Sequence, residues 1–227
     1  MNLEIFDNAD YVADLTVRMA HHSTAIEGNT LSQDETATII LNRIIPRKGL
    51  NEREFYEVVN YRRIIPFMLE NLHNSRKIDN EFIKEIHAIL LDKLIYNQGE
   101  FKTSQNMIVG ANFDTTPPYQ VPYVLKDSID NLEYRLRQVS DDDEKLLAIL
   151  EFHLRFEKIH PFSDGNGRVG RFIMFYQVLE NNLMPFIITK ELKDKYIFSL
   201  RENNVNELIK IVKELQIFEQ DRINKFN

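Results

Sequence analysis

Twelve consecutive residues, His160-Pro161-Phe162-Ser163-Asp164-Gly165-Asn166-Gly167-Arg168-Val169-Gly170-Arg171, combine a titratable ring, a carboxylate, a glycine-rich backbone and two guanidiniums. These are the parts needed to handle a nucleotide phosphate: backbone N–H groups and arginines for the anion, an imidazole for a proton. The chain has seven glycines, and three of them, Gly165, Gly167 and Gly170, fall in this stretch. A residue without Cβ lets the backbone come close to a ligand. The apolar run Phe172-Ile173-Met174-Phe175-Tyr176 follows directly, which puts Arg168 and Arg171 in the first turn of a helix. A cation there opposes the helix dipole by about 0.3–1 kcal/mol, and an anionic ligand reverses that cost.

The elements that must position these groups read as helices. Ahead of the motif, Leu146, Ile149, Leu150, Phe152, Phe156 and Ile159 recur with helical spacing. That excludes a dinucleotide fingerprint for Gly165-x-Gly167-x-x-Gly170, which must follow a strand. A Walker-type loop is excluded because no Gly-Lys-Ser/Thr follows the glycines. His153 lies on the apolar face of the same helix and reads as a core residue. Its i, i+4 neighbour Glu157 offers a second metal ligand, but no third is evident. His73 and His87 read as incidental.

Capping signals divide the rest of the chain. Asp7 or Asn8 opens a first helix that ends near Gly28; Ser32-x-x-Glu35, Asn51-x-x-Glu54, Asp79 and Ser140-x-x-Asp143 open later ones. Helices near Thr189–Asn203 and Asn204–Phe218 close the fold, the last capped by Asn204. Between Gly99 and Pro122, alternating and β-branched residues around Gly110 and the Pro117-Pro118 pair predict a short β-hairpin or flap.

Composition narrows the function. With 28 Lys and Arg against 35 Asp and Glu, the net charge is −7, so general attraction to nucleic acid or anionic lipid is not expected. The absence of cysteine removes disulfides, thiolate nucleophiles and zinc–thiolate sites. The first seven residues lack the basic and apolar regions of a signal peptide, and no apolar run reaches membrane-spanning length; a soluble, cytoplasmic protein is expected.

The motif from His160 to Arg171 resembles, without a departure, the His-x-Phe-x-Asp/Glu-Gly-Asn-Gly-Arg-x-x-Arg signature of Fic proteins in the Fic/Doc (Fido) superfamily. The resemblance implies an all-α fold, a Fic/Doc-type helical core with a short β-hairpin flap, in one compact unit: N-terminal helices over residues 1–75 and a core over 76–220. It implies transfer of AMP from ATP to a Ser, Thr or Tyr hydroxyl of a protein target. By the same resemblance, His160 is the general base and Asp164 holds Mg²⁺. Gly165, Asn166, Gly167 and Gly170 shape the phosphate turn, Arg168 clamps the leaving pyrophosphate, and Arg171 takes the γ-phosphate. Tyr196 and Asn204 match positions near the nucleoside, although Ile197 stands where the family often has a second tyrosine. Met107, Ile108, Val109 and Gly110 match the flap on which a target docks.

A second motif, Ser23-Thr24-Ala25-Ile26-Glu27-Gly28-Asn29, resembles the Ser/Thr-x-x-x-Glu-Gly/Asn inhibitory motif of Fic proteins whose inhibitory helix precedes the core. The resemblance implies that Glu27, with Ser23, pairs with Arg171 and blocks productive γ-phosphate binding. A Doc-like kinase is disfavoured because that branch replaces the second loop glycine with lysine, and Gly167 is present. Transfer of another nucleotide, removal of AMP from the target, a catalytically silent nucleotide-binding regulator and a homodimer remain open alternatives.

Overall fold

The computed structural model describes residues 3–108 and 113–226. Among them are ten α-helices: α1 (Ala9–Ile26), α2 (Gln33–Ala37), α3 (Glu52–Val59), α4 (Tyr61–His73), α5 (Asn80–Leu90), α6 (Val121–Gln138), α7 (Asp142–Ile159), α8 (Asn166–Glu180), α9 (Lys193–Arg201) and α10 (Val205–Ile223). A single π-helical turn, Thr38–Asn42, extends α2. No described helix is long and apolar enough to cross a membrane.

Side-chain caps set most helix starts. Asn8 Oδ1 accepts from the Asp10 and Tyr11 amides at 3.0 and 3.1 Å, and Asp79 Oδ1 from the Phe82 amide at 2.7 Å. Ser32 and Glu35 close a reciprocal capping box, while Asn51 and Asn204 cap α3 and α10. The expected cap at Ser140 is displaced by one residue. Asp141 Oδ1 accepts from the Asp143 and Glu144 amides at 2.9 and 3.0 Å, because its carboxylate reaches both free N–H groups. The expected helix at 189–203 is shorter, a 3₁₀ turn at Lys190–Leu192 leading into α9, and α10 runs on to Ile223.

The core centres on α8, whose residues from Arg168 to Leu179 are all buried. α7 packs against it on one side, α5, α4 and α1 on others. α7 and α8 pack tightly at Gly170, where an added Cβ would collide with Glu157 Oε1 and lie 3.0 Å from Phe156 Cδ1 and 3.2 Å from His153 Cε1. α1 is tied to α10 by a buried polar cluster: Glu219 accepts from the Tyr11 hydroxyl at 2.8 Å and from Arg18 Nη1 at 2.7 Å. The C-terminal end of α1, carrying Ser23 and Glu27, is thereby held against α8.

The predicted hairpin is not seen among the described residues of the 99–122 segment; Val109 and Gly110 lie outside them. Side chains take the place of a strand ladder. Lys102 Nζ donates to Asn106 Oδ1 at 2.6 Å and Thr115 Oγ1 at 3.0 Å, and Gln105 Nε2 donates to the Thr115 carbonyl at 3.0 Å. Pro117 and Pro118 have no N–H to contribute to a ladder. Met107 is largely exposed and Ile108 partly so.

Candidate functional site

The glycine-rich turn joins the end of α7 to the start of α8. His160 caps α7 in the left-handed region, with φ of 50°, its amide donating to the Phe156 carbonyl at 3.0 Å. Gly165, also left-handed at φ 77°, starts α8. Between them the Asn166 side chain clasps the turn, accepting from the Phe162 amide and donating to the Phe162 carbonyl, each at 2.8 Å. The Asn166 amide is thus committed to the backbone.

Two residues with no sequence motif brace this turn. His87 is not incidental: it is fully buried and stacks on Phe162, with centroids 3.8 Å apart and planes 3° from parallel. Its Nδ1 accepts from the Gly99 amide at 2.8 Å, so Nε2 carries the hydrogen and donates to the Asp164 carbonyl at 3.1 Å. Burial pushes its pKa down to about 4, which keeps this arrangement neutral. Lys102 is the other brace. Its amide donates to the Pro161 carbonyl at 2.9 Å, and its partner Asn106 donates to the Phe162 carbonyl at 2.8 Å. Burial lowers the Lys102 ammonium to about 8.

His160 is held as a neutral base. Its Nδ1 lies 3.2 Å from the Glu157 carbonyl, an acceptor, which places the hydrogen on Nδ1 and a lone pair on Nε2. Burial brings the ring down to about 4, opposed by that carbonyl contact.

The two arginines of the first turn are buried, and carboxylates meet both. Arg171 Nη2 donates to Glu27 Oε1 at 2.7 Å and to the Ser23 carbonyl at 2.9 Å, while Nε donates to Ser23 Oγ at 3.1 Å. Burial alone would lower the Arg171 pKa; the Glu27 charge reverses the sign and raises it. Burial would likewise raise Glu27, but the charge and hydrogen bond of Arg171 hold it below the usual carboxylate range. Gly167 completes this corner, since an added Cβ would collide with Glu27 Oε1.

Arg168 is 2% exposed and lies 3.4 Å from Glu57 Oε1 and 3.5 Å from Asp164 Oδ1. Its Nε and Nη1 are buried without a hydrogen-bond acceptor among the described residues. Asp164 is partly accessible, its side chain 39% exposed. The Gly165 amide donates to its Oδ1 at 2.6 Å and Arg53 Nη2 to its Oδ2 at 2.6 Å. Arg53 and Glu57, both on α3, were not signalled by any spacing in the sequence. Asn29 Nδ2, two residues past Glu27, donates to Glu57 Oε2 at 3.0 Å.

The remaining site residues sit deeper. Tyr196 is fully buried, its hydroxyl 2.8 Å from His153 Nε2 and its ring 5.9 Å from the Arg171 guanidinium carbon. Burial takes His153 down to about 3, in keeping with a core histidine. Glu157 is buried beside it, and burial raises its carboxyl to about 7. Asn204 accepts from the Glu207 amide at 3.1 Å as a helix cap.

Residues 77–178 match the model of the Fic/DOC family. The protein adenylyltransferase fic-1 of Caenorhabditis elegans is 29% identical over 212 residues, covering 91% of this chain and 40% of that protein. A probable protein adenylyltransferase of Aquifex aeolicus is 33% identical over 117 residues, covering 50% of this chain and 33% of that protein. The chain thus spans less than half the length of either relative. In three dimensions, a Fic domain-containing signalling protein from Bacteroides thetaiotaomicron superposes with a TM-score of 0.81 at 17% identity, covering 100% of this chain and 90% of that one. Residues 77–178, which hold the glycine turn, thus carry a Fic/DOC family domain.

Proposed function

We propose that the chain is an autoinhibited protein adenylyltransferase that moves AMP from ATP to a Ser, Thr or Tyr hydroxyl of a protein target. The observation that carries this reading is the 2.7 Å contact of Glu27 with Arg171, made across 144 residues onto the second arginine of the turn. In the reaction the target oxygen bonds to the α-phosphorus, the bond to the β-phosphate oxygen breaks, and pyrophosphate leaves. His160 Nε2 takes the hydroxyl proton, for which its neutral tautomer is suited. The backbone from Gly165 to Gly167, at the N-terminus of α8, faces the phosphates, and Arg168 and Arg171 neutralise them.

Asp164 is a single accessible carboxylate, and no cluster of three or more acidic or imidazole groups stands near one point among the described residues. That donor set fits Mg²⁺ bound through one carboxylate plus substrate phosphates. When bound, the metal would supply charge neutralisation of the substrate phosphates, held there by Asp164. Glu27 takes up the guanidinium that the γ-phosphate needs, so residues 1–75 act as a restraint on the core at 76–220.

The test is incubation of the full chain with α-labelled ATP, Mg²⁺ and cell lysate. Label on protein with the Glu27→Gly form and none with Glu27→Gly/His160→Ala supports the reading. Failure of the Glu27→Gly form to label any protein, itself included, would overturn it.

A further inference from the structure

Asp164 is not waiting open for a metal. Its Oδ2 receives Arg53 Nη2 at 2.6 Å and its Oδ1 receives the Gly165 amide at 2.6 Å, with Arg168 Nη2 at 3.5 Å. Arg53 comes from α3, outside the glycine turn and 111 residues away in sequence. It is not a stray surface contact, because a second acceptor aims it: Arg53 Nε donates to Glu57 Oε1 at 3.2 Å. Glu57 is itself buried, held by Asn29 Nδ2 on its other oxygen at 3.0 Å. A guanidinium fork held at both ends is a directed cation, unlike a lone solvated arginine.

We infer that Arg53 competes with the divalent metal for Asp164 and weakens its binding, which rests on Asp164 being the metal-holding carboxylate. A guanidinium in contact with Oδ2 takes one of the carboxylate's lone-pair sites and repels a second cation arriving there. Arg53 is a positioning residue: it acts through Asp164, by setting how readily that carboxylate accepts the metal. Its support reaches back to the inhibitory segment, since Asn29 follows Glu27 by two residues and orients Glu57. The same end of α1 therefore underlies two restraints, one on Arg171 and one on Asp164.

The experiment titrates Mn²⁺, a paramagnetic substitute, into the nucleotide-free full chain and follows free Mn²⁺ by electron paramagnetic resonance. Half-exposed ion pairs are worth little, so Arg53→Gln is expected to tighten Mn²⁺ binding by about three- to ten-fold. Asp164→Asn is expected to abolish the site. If Asp164→Asn removes binding while Arg53→Gln matches the native protein, the inference about Arg53 is overturned and the metal assignment stands. If Asp164→Asn binds as the native chain does, the metal assignment fails and the inference with it. Arg53→Lys guards against a folding defect: its ammonium can still pair with Asp164, so it should bind Mn²⁺ closer to the native chain than Arg53→Gln does, and equal tightening in both variants would overturn the inference. In the Glu27→Gly background, adding Arg53→Gln should lower the Mg²⁺ concentration for half-maximal labelling by the same factor.

Discussion

Two carboxylate–guanidinium pairs flank the turn, with nearly the same separation and different surroundings. Glu27–Arg171 closes at 2.7 Å with the arginine side chain 7% and the carboxylate side chain 39% exposed; Arg53–Asp164 closes at 2.6 Å with 48% and 39% exposed, so it is the arginines that differ. In the first, Ser23 adds two acceptors, so the guanidinium is satisfied by a pre-formed pocket. In the second, water reaches both partners and screens them. Contact distance alone therefore says little about strength; burial and additional bonds decide it. The pair with the buried, multiply bonded arginine is suited to hold a state, the pair with the exposed arginine to yield to an incoming ion.

The largest effect sets the baseline for that contrast. His160→Ala in the Glu27→Gly background should reduce labelling by about 10²–10⁴-fold, the usual loss of a general base, while nucleotide binding persists. Retained labelling in a gel assay would mean that neither pair bears on this chemistry. Next, Glu27→Gly alone should raise automodification and target labelling by one to two orders of magnitude, since a hundred-fold restraint needs only about 2.7 kcal/mol. An unchanged rate across a range of ATP concentrations would make the buried pair structural.

The pH profile sharpens the same point at intermediate size. Because burial holds His160 near 4, its base form is populated at neutral pH and is lost as pH falls through that value. The rate of the Glu27→Gly form should therefore be nearly level from pH 8 to about 5.5 and fall tenfold per unit only below the His160 pKa. An acid limb centred near the free imidazole value would show that His160 is solvated in the working state. The smallest effect separates the pairs by salt. Raising KCl from 0.05 to 0.5 M should tighten relative Mn²⁺ binding of the native chain toward that of Arg53→Gln, by about two-fold, while leaving the Glu27 restraint on labelling unchanged. Equal salt sensitivity would erase the distinction drawn from burial.

Local signals in the chain were legible where one residue acts on its neighbours. Asn8, Ser32, Asn51, Asp79 and Asn204 cap helices because a short polar side chain reaches N–H groups two or three residues on. Ser140 misled because Asp141 beside it competes for the same N–H groups, and only the backbone path chooses between them. The 99–122 segment misled because alternation predicts a ladder only when no side chain satisfies the backbone first, and Gln105 and Thr115 do so at the Thr115 and Asn106 carbonyls. Arg53, Glu57 and His87 were illegible for another reason. Their partners lie about 77 to 111 residues away, and helix packing brings them together without any spacing rule.

Gly167 bears on the kind of restraint that the proposed function assigns to Glu27. A single methyl group there would already strike the Glu27 carboxylate and crowd Arg171 Nη1 at 3.0 Å. The carboxylate lies directly against this turn, so on that reading an incoming anion and the carboxylate would contend for space as well as for the guanidinium. Contention of that kind is graded by concentration: abundant ligand wins more often, scarce ligand less. On the proposed function, the arrangement would behave as a rheostat set by nucleotide supply, with Glu27 as its resistance.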